Sequence, residues 1–304
     1  MSATFAERLA AAVAERSSQI VLGLDPDPAS LWPQAAAAAN APGRPAERAA
    51  RAVAEHCRLL IDAAGPACVA VKPQLACFER LGAPGWAALA EVIATAKSAR
   101  LLVIADGKRG DVPVTAAAYA QALAGSTPTL AGEVAGLGAD AFTANPLLGI
   151  DAIAPLIAAG AGVFLLVRTS NAGAADVQDL ELVGGERLWE RLARLVDELG
   201  EVRSCGLSDV GAVVGATAPQ HMARARALMP HAVFLLPGIG AQGGRVEDLA
   251  PAFAPGRAGG LVSASRSIAD AHRAAGAEPR AAAREEAERL REAAWSLSGD
   301  ARGS

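Results

Sequence analysis

Eight short apolar runs, each followed by Gly, Asp, Asn or Thr and then a helical stretch, constrain the fold of this 304-residue chain more than any other feature. They are QIVLGLD (19–25), CVAVK (68–72), LLVIAD (101–106), DAFTAN (140–145), VFLLVRTS (163–170), VGAVVGAT (210–217), AVFLLPG (232–238) and GGLVSAS (259–265). Their hydrophobicity is continuous rather than alternating, which suits strands buried on both faces of a parallel sheet. Helical patterns such as 85–99, 186–200 and 218–229 lie between them. Eight strand–helix units in one chain predict an α/β fold, a single-domain (β/α)8 TIM barrel, over an open doubly wound sheet. No GxGxxG follows the first run, which argues against a dinucleotide-binding fold. A further helix is expected over about residues 3–16. A charged amphipathic helix over about 278–297 is expected to cover the last strand. Two connections, 26–46 and 171–185, are long, as functional loops at a barrel mouth tend to be.

Composition narrows the function. The net charge is −4 with no basic block, so no nucleic-acid partner is expected. No apolar run reaches the ~18 residues of a membrane span. The first residues lack the pattern of a signal peptide, and the four cysteines form no CxxC pair, so a cytoplasmic protein with free thiols is expected. The four histidines have no metal-ligand spacing. One bias stands out. Of 28 Lys and Arg residues only Lys72, Lys97 and Lys108 are lysines. An Arg keeps its proton at any useful pH, whereas a Lys ammonium can release one, so a retained lysine hints at chemistry.

In a barrel, chemistry sits at the C-terminal ends of the strands. Asp25, Lys72, Asp106, Lys108, Asn145, Thr169, Ser170 and Thr217 all fall there. Any one of them, Asn145 or Thr217 in particular, has a capping or turn role as its plainer explanation. The set is harder to explain that way. Asp106 and Lys108 are two apart, so a continuing extended backbone would project both to one side, within reach of Lys72 on the next strand. An acid between two ammonium groups keeps all three ionised. An inert buried ion network is the alternative, but ion pairs stabilise a core poorly. Arg109 should point the other way and be structural.

A second constellation is PGIGAQGG (237–244) with SASRSI (263–268). Glycines let backbone N–H groups approach an anion, and a helix start adds free donors. Arg266 offers a fork matched to phosphate oxygens and Gln242 an amide. The alternative is a Gly-rich turn that binds nothing.

These stretches, together with VKPQLACFE, VIADGKRGDV and LLVRTSNAG, run in one order from residue 20 to about 270. In this the chain resembles the orotidine 5′-phosphate decarboxylases, in particular their bacterial type 2 branch. It departs at Ala172, where the family usually has Pro, and at Val112, where it usually has Ile. The resemblance implies conversion of orotidine monophosphate (OMP) to uridine monophosphate (UMP) and CO2 with no cofactor and no metal. It implies that Lys108 protonates C6 and that Asp106 lies beside the substrate carboxylate, with Lys72 and Asp111 completing the array. Asp25 would hold the ribose. Asn145, Thr169 and Ser170 would contact substrate, with Ser170 on the pyrimidine. Gln242, Gly243, Ser265 and Arg266 would bind the phosphate. It also implies a homodimer in which Asp111 and Thr115 enter the neighbouring subunit's site. Two rival readings remain: a Mg2+-dependent lyase of sugar phosphates, against which Lys72 stands because an ammonium repels the metal, and a non-catalytic nucleotide-binding protein.

Overall fold

Strands β1 (Ile20–Leu24), β2 (Ala70–Pro73), β3 (Leu102–Arg109), β4 (Ala141–Ala144), β5 (Gly162–Arg168), β6 (Ser208–Val214), β7 (Ala232–Leu236) and β8 (Gly260–Ala264) close into a barrel in chain order. All eight pairings, β8 back onto β1 included, are parallel. The structure, a computed structural model, describes residues 3–300. Each apolar run of the sequence supplies one strand. The strands are almost wholly buried, because helices cover one side and barrel side chains fill the other. The main helices are α1 (Phe5–Arg16), α2 (Pro45–Ala64), α3 (Ala83–Ser98), α4 (Pro113–Leu123), α5 (Ile150–Ala158), α6 (Leu188–Leu199), α7 (Met222–Leu228) and α8 (Pro279–Asp300).

Two apolar clusters organise the molecule. The larger lies between strands and helices. The smaller fills the lower half of the barrel interior with Val21, Ala70, Ile104, Ala141, Phe164, Val213, Leu235 and Leu261, and it includes Phe5, Ala6, Leu9 and Val13 of α1. Helix α1 therefore stoppers the N-terminal end of the barrel. A capping box at Thr4 and Glu7 starts it. Phe5 meets Phe164 edge to face at 5.8 Å, and a Cβ on Gly162 would lie 2.3 Å from the Phe5 ring. Burying Phe5 stabilises the fold by roughly 2–3 kcal/mol.

The remaining connections depart from simple expectation. Helix α8 packs on α2 and on the 3-10 helix Val246–Phe253 and touches β1, so it covers the seam beside the last strand more than the strand itself. The 26–46 connection contains two short helical turns, Pro33–Ala36 and Ala37–Asn40. Residues 171–185 contain two more, Ala172–Ala174 and Ala175–Gln178. A small antiparallel hairpin, Ser126–Thr129 with Gly132–Ala135, follows α4.

Candidate active site

Side chains alternate along a strand, so residues two above the stoppered layer point into the upper barrel. Ala70 leads to Lys72, Ile104 to Asp106, Ala141 to Thr143, Leu261 to Ser263. All four upper residues line one cavity of about 460 Å3 open at the C-terminal face. Asp25, Lys108, Thr169, Ser170, Gln242, Ser265 and Arg266 line it as well.

The floor of that cavity is a clamped carboxylate. Asp106 is 5% exposed. Its Oδ2 accepts from Lys72 Nζ at 2.6 Å and more weakly from Gln74 Nε2 at 3.4 Å. Its Oδ1 accepts from Lys108 Nζ at 2.7 Å and from Thr143 Oγ1 at 2.8 Å. Burial alone would raise the Asp106 pKa, but the two ammonium groups and their hydrogen bonds outweigh it and hold the carboxyl well below its ordinary value. Burial alone would likewise lower Lys72, yet Asp106, with Asp25 behind it, pulls Lys72 above its ordinary value. Lys108 differs from Lys72 in access, its side chain being 42% exposed against 7%. It is the ammonium that faces the open cavity.

The convergence of Asp106 and Lys108 does not come from an extended backbone. The β3–β4 register shifts between Ala105 and Arg109, and Lys108 has φ 47°, in the left-handed region. Simple alternation therefore stops at Asp106, and a bulge aims the lysine back over it. Arg109 turns outward, pairs with Glu79 and lies over the Tyr119 ring at 5.2 Å.

The phosphate-type end is built by glycines. Gly238, Gly240 and Gly243 have φ of 102°, 71° and 89°. The Gly243 N–H donates to the Gly240 carbonyl at 2.8 Å, so that amide closes the turn, and Gly243 does not line the cavity. Ser265 precedes a single helical turn, Arg266–Ala269. A Cβ on Gly23 would lie 1.8 Å from Ser265 Oγ, so β1 needs glycine there to admit the serine.

Four other expected residues lie outside the cavity. Asn145 accepts the Leu147 N–H at 3.1 Å and caps the turn Pro146–Leu148. Asp111 accepts the Val112 N–H at 2.8 Å, and neither it nor Thr115 reaches its own chain's cavity. Thr217 donates to the Ser170 carbonyl at 3.0 Å and braces the end of β5. Conversely, Gln74, Thr143, Asn171, Gln178 and Ser263 line the cavity without having been singled out. Parity with Ala141 and Leu261 would have found Thr143 and Ser263. Gln178 comes from the long connection after β5, where no periodicity exists to read.

Residues 18–285 match the model of the family described as orotidine 5′-phosphate decarboxylase / HUMPS. The chain is 41% identical over 276 residues to the orotidine 5′-phosphate decarboxylase of Rhodopirellula baltica, covering 89% of both chains. To that of Haloarcula marismortui it is 42% identical over 267 residues, covering 87% of this chain and 86% of the relative. Among solved structures, Leishmania donovani OMP decarboxylase matches with a TM-score of 0.70 and 32% identity, over 96% of this chain and 99% of that one. With its motifs, closed barrel and clamped carboxylate all in agreement, the chain belongs to the orotidine 5′-phosphate decarboxylase family.

Proposed function

We propose that the cavity releases CO2 from C6 of orotidine 5′-monophosphate with Lys108 as proton donor to the carbon left behind. By its family and relatives the protein is a carboxy-lyase of pyrimidine biosynthesis; the assignment of side chains is ours. The C6–carboxylate bond breaks and its electron pair stays on C6. A proton then passes from Lys108 Nζ to C6, and the neutral amine regains one from water. An ammonium fixed beside the developing carbanion lowers the barrier before it donates. The observation that carries this reading is the ionised Asp106 held between Lys72 and Lys108 in the cavity floor. An anion there repels the substrate carboxylate, a repulsion that departure of CO2 relieves.

The rest of the lining sorts by chemistry. Arg266, Gln242 and Ser265 suit the phosphate, Asp25 and Lys72 the ribose hydroxyls, and Thr169 and Ser170 the pyrimidine edge. Asn145 and Gly243 act in this reading by shaping loops. Asp111 and Thr115 serve the site of a second copy. Exposed Val112 and Val114 beside them, with Leu147, Leu148 and Ile150 at the start of the neighbouring α5, form the apolar surface that a twofold dimer would cover.

The test follows orotate absorbance with EDTA present. Loss of absorbance is expected, and an absolute requirement for added Mg2+ would favour the sugar-phosphate lyase instead. Lys108→Arg keeps the charge but cannot donate, and should be nearly inactive through kcat. Activity within about tenfold of the parent, ~1.4 kcal/mol in barrier, overturns the donor role.

A further inference from the structure

The upper layer of a barrel interior is ordinarily filled by branched aliphatic side chains. Thr143, 1% exposed, puts a hydroxyl there. Both capacities of that hydroxyl are in use. Oγ1 accepts the backbone N–H of Lys108 at 2.9 Å, and its single proton goes to Asp106 Oδ1 at 2.8 Å. The direction is fixed by chemistry, since an N–H can only donate and an ionised carboxylate can only accept. The same Oδ1 accepts Lys108 Nζ at 2.7 Å. One small side chain therefore ties the main chain of the lysine to the carboxylate that holds its ammonium, closing a ring of three contacts.

The backbone explains why such a tie is needed. The register shift removes Lys108 from regular pairing with β4, and its N–H donates to the Thr143 hydroxyl. Its left-handed φ of 47° is one that a side chain with a Cβ adopts only at a cost. Such a conformation persists when its surroundings over-determine it, and the Thr143 hydroxyl is the group that binds the amide in question.

We infer that Thr143 is a positioning residue for the decarboxylation: its hydroxyl sets the Lys108 backbone and the Asp106 carboxylate against each other, so that Nζ is held at one place over the cavity floor. It transfers no proton itself. The inference rests on Lys108 being the donor, as proposed above. The alternative is a satisfied core hydroxyl that matters for stability alone.

Thr143→Val keeps the shape and removes the hydroxyl, and Thr143→Ser keeps the hydroxyl and removes a methyl. With OMP as substrate, Val should lower kcat by about 10- to 100-fold, the scale on which ångström displacement of a reacting group is felt. KM and the affinity for UMP should stay within about threefold, because phosphate, ribose and base contacts are untouched. Ser should restore kcat to within about threefold of the parent. If Val does not yield folded protein, Thr143→Cys, which keeps the size but offers only a weak donor, takes its place with the same expectation. The inference is overturned if the hydroxyl-free variant turns over within about threefold of the parent. It is equally overturned if Ser loses kcat as far as Val does, or if Val loses UMP affinity in step with kcat. Lys108→Ala, assayed alongside, separates the two readings. An active Lys108→Ala enzyme removes the donor assignment. An inactive one beside an active Thr143→Val enzyme removes only the role of Thr143.

Discussion

Asp106 and Lys72 stabilise each other in opposite titration ranges. The depressed carboxyl contributes stability above its unfolded pKa of about 3.9, lost as pH falls through the folded value, and the raised ammonium contributes below about 10.4, lost as pH rises through its folded value. Both windows lie outside neutrality, so the pair adds no pH dependence between about 5 and 9. His56 does. It is buried, its Nδ1 accepts the Trp32 N–H at 3.2 Å, and burial pushes its pKa down from 6.5 to about 4. The unfolded chain takes up that proton near pH 6.5 and the folded one does not, so stability falls as pH drops from 6.5 to 4. Urea unfolding should show roughly 2–3 kcal/mol less stability at pH 4.5 than at 7.5 from this group. His56→Gln should remove that slope, and an unchanged slope in the variant would show the histidine is not responsible. At this scale the sequence was readable where a residue type was rare. Scarcity of lysine marked Lys72 and Lys108, and both line the cavity. Thr143 and Gln74 are common residue types whose meaning lies in what they touch, and Asn145 and Gly243 sit in motifs whose hydrogen bonds turn inward to the loops themselves.

Among the elements, the connection after β5 has the clearest mechanical design. Arg168, at the end of that strand, pairs through Nε and Nη2 with both carboxylate oxygens of Asp179, at 2.8 and 3.0 Å. Next to it, Gln178 Oε1 accepts the Thr169 N–H at 2.8 Å while its Nε2 donates to Thr169 Oγ1 at 3.0 Å. These bonds latch the loop to the strand whose end lines the cavity. Asp179→Asn loosens the latch and leaves the mostly buried Arg168 with a poorer partner. It should cost roughly 1–3 kcal/mol in stability and raise KM for OMP several-fold with kcat less affected. Unchanged KM by steady-state kinetics would mean the loop is held by other contacts. The strands themselves were plain in the sequence because burial on both faces leaves unbroken apolar runs. The bulge in β3 was not, since nothing in GKRG announces a left-handed lysine. The hairpin Ser126–Thr129/Gly132–Ala135 escaped for the opposite reason, being exposed along most of both strands and so carrying no apolar alternation.

For the whole molecule, the open question is how many chains make one site. Asp111 and Thr115 are outside their own cavity, beside an apolar surface on α4 and α5. If a second copy completes each site as proposed, Lys108→Ala and Asp111→Ala should each be nearly inactive on their own. Unfolded together in equal amounts and refolded, half the dimers are mixed, and each mixed dimer carries one site with both lesions and one with neither. About a quarter of the parent activity should return. No recovery after verified subunit exchange would place Asp111 in its own chain's chemistry or outside the chemistry altogether, and would leave the decarboxylase assignment intact. A different consequence follows from the stopper at the other end. With Phe5, Leu9 and Val13 seated among the lower barrel residues, the barrel is a cup and not a tube. Among the described residues, the cavity above that stopper is lined by the strand ends and loops of the opposite face. A molecule entering the cup therefore meets the rim loops, and not the barrel wall, first.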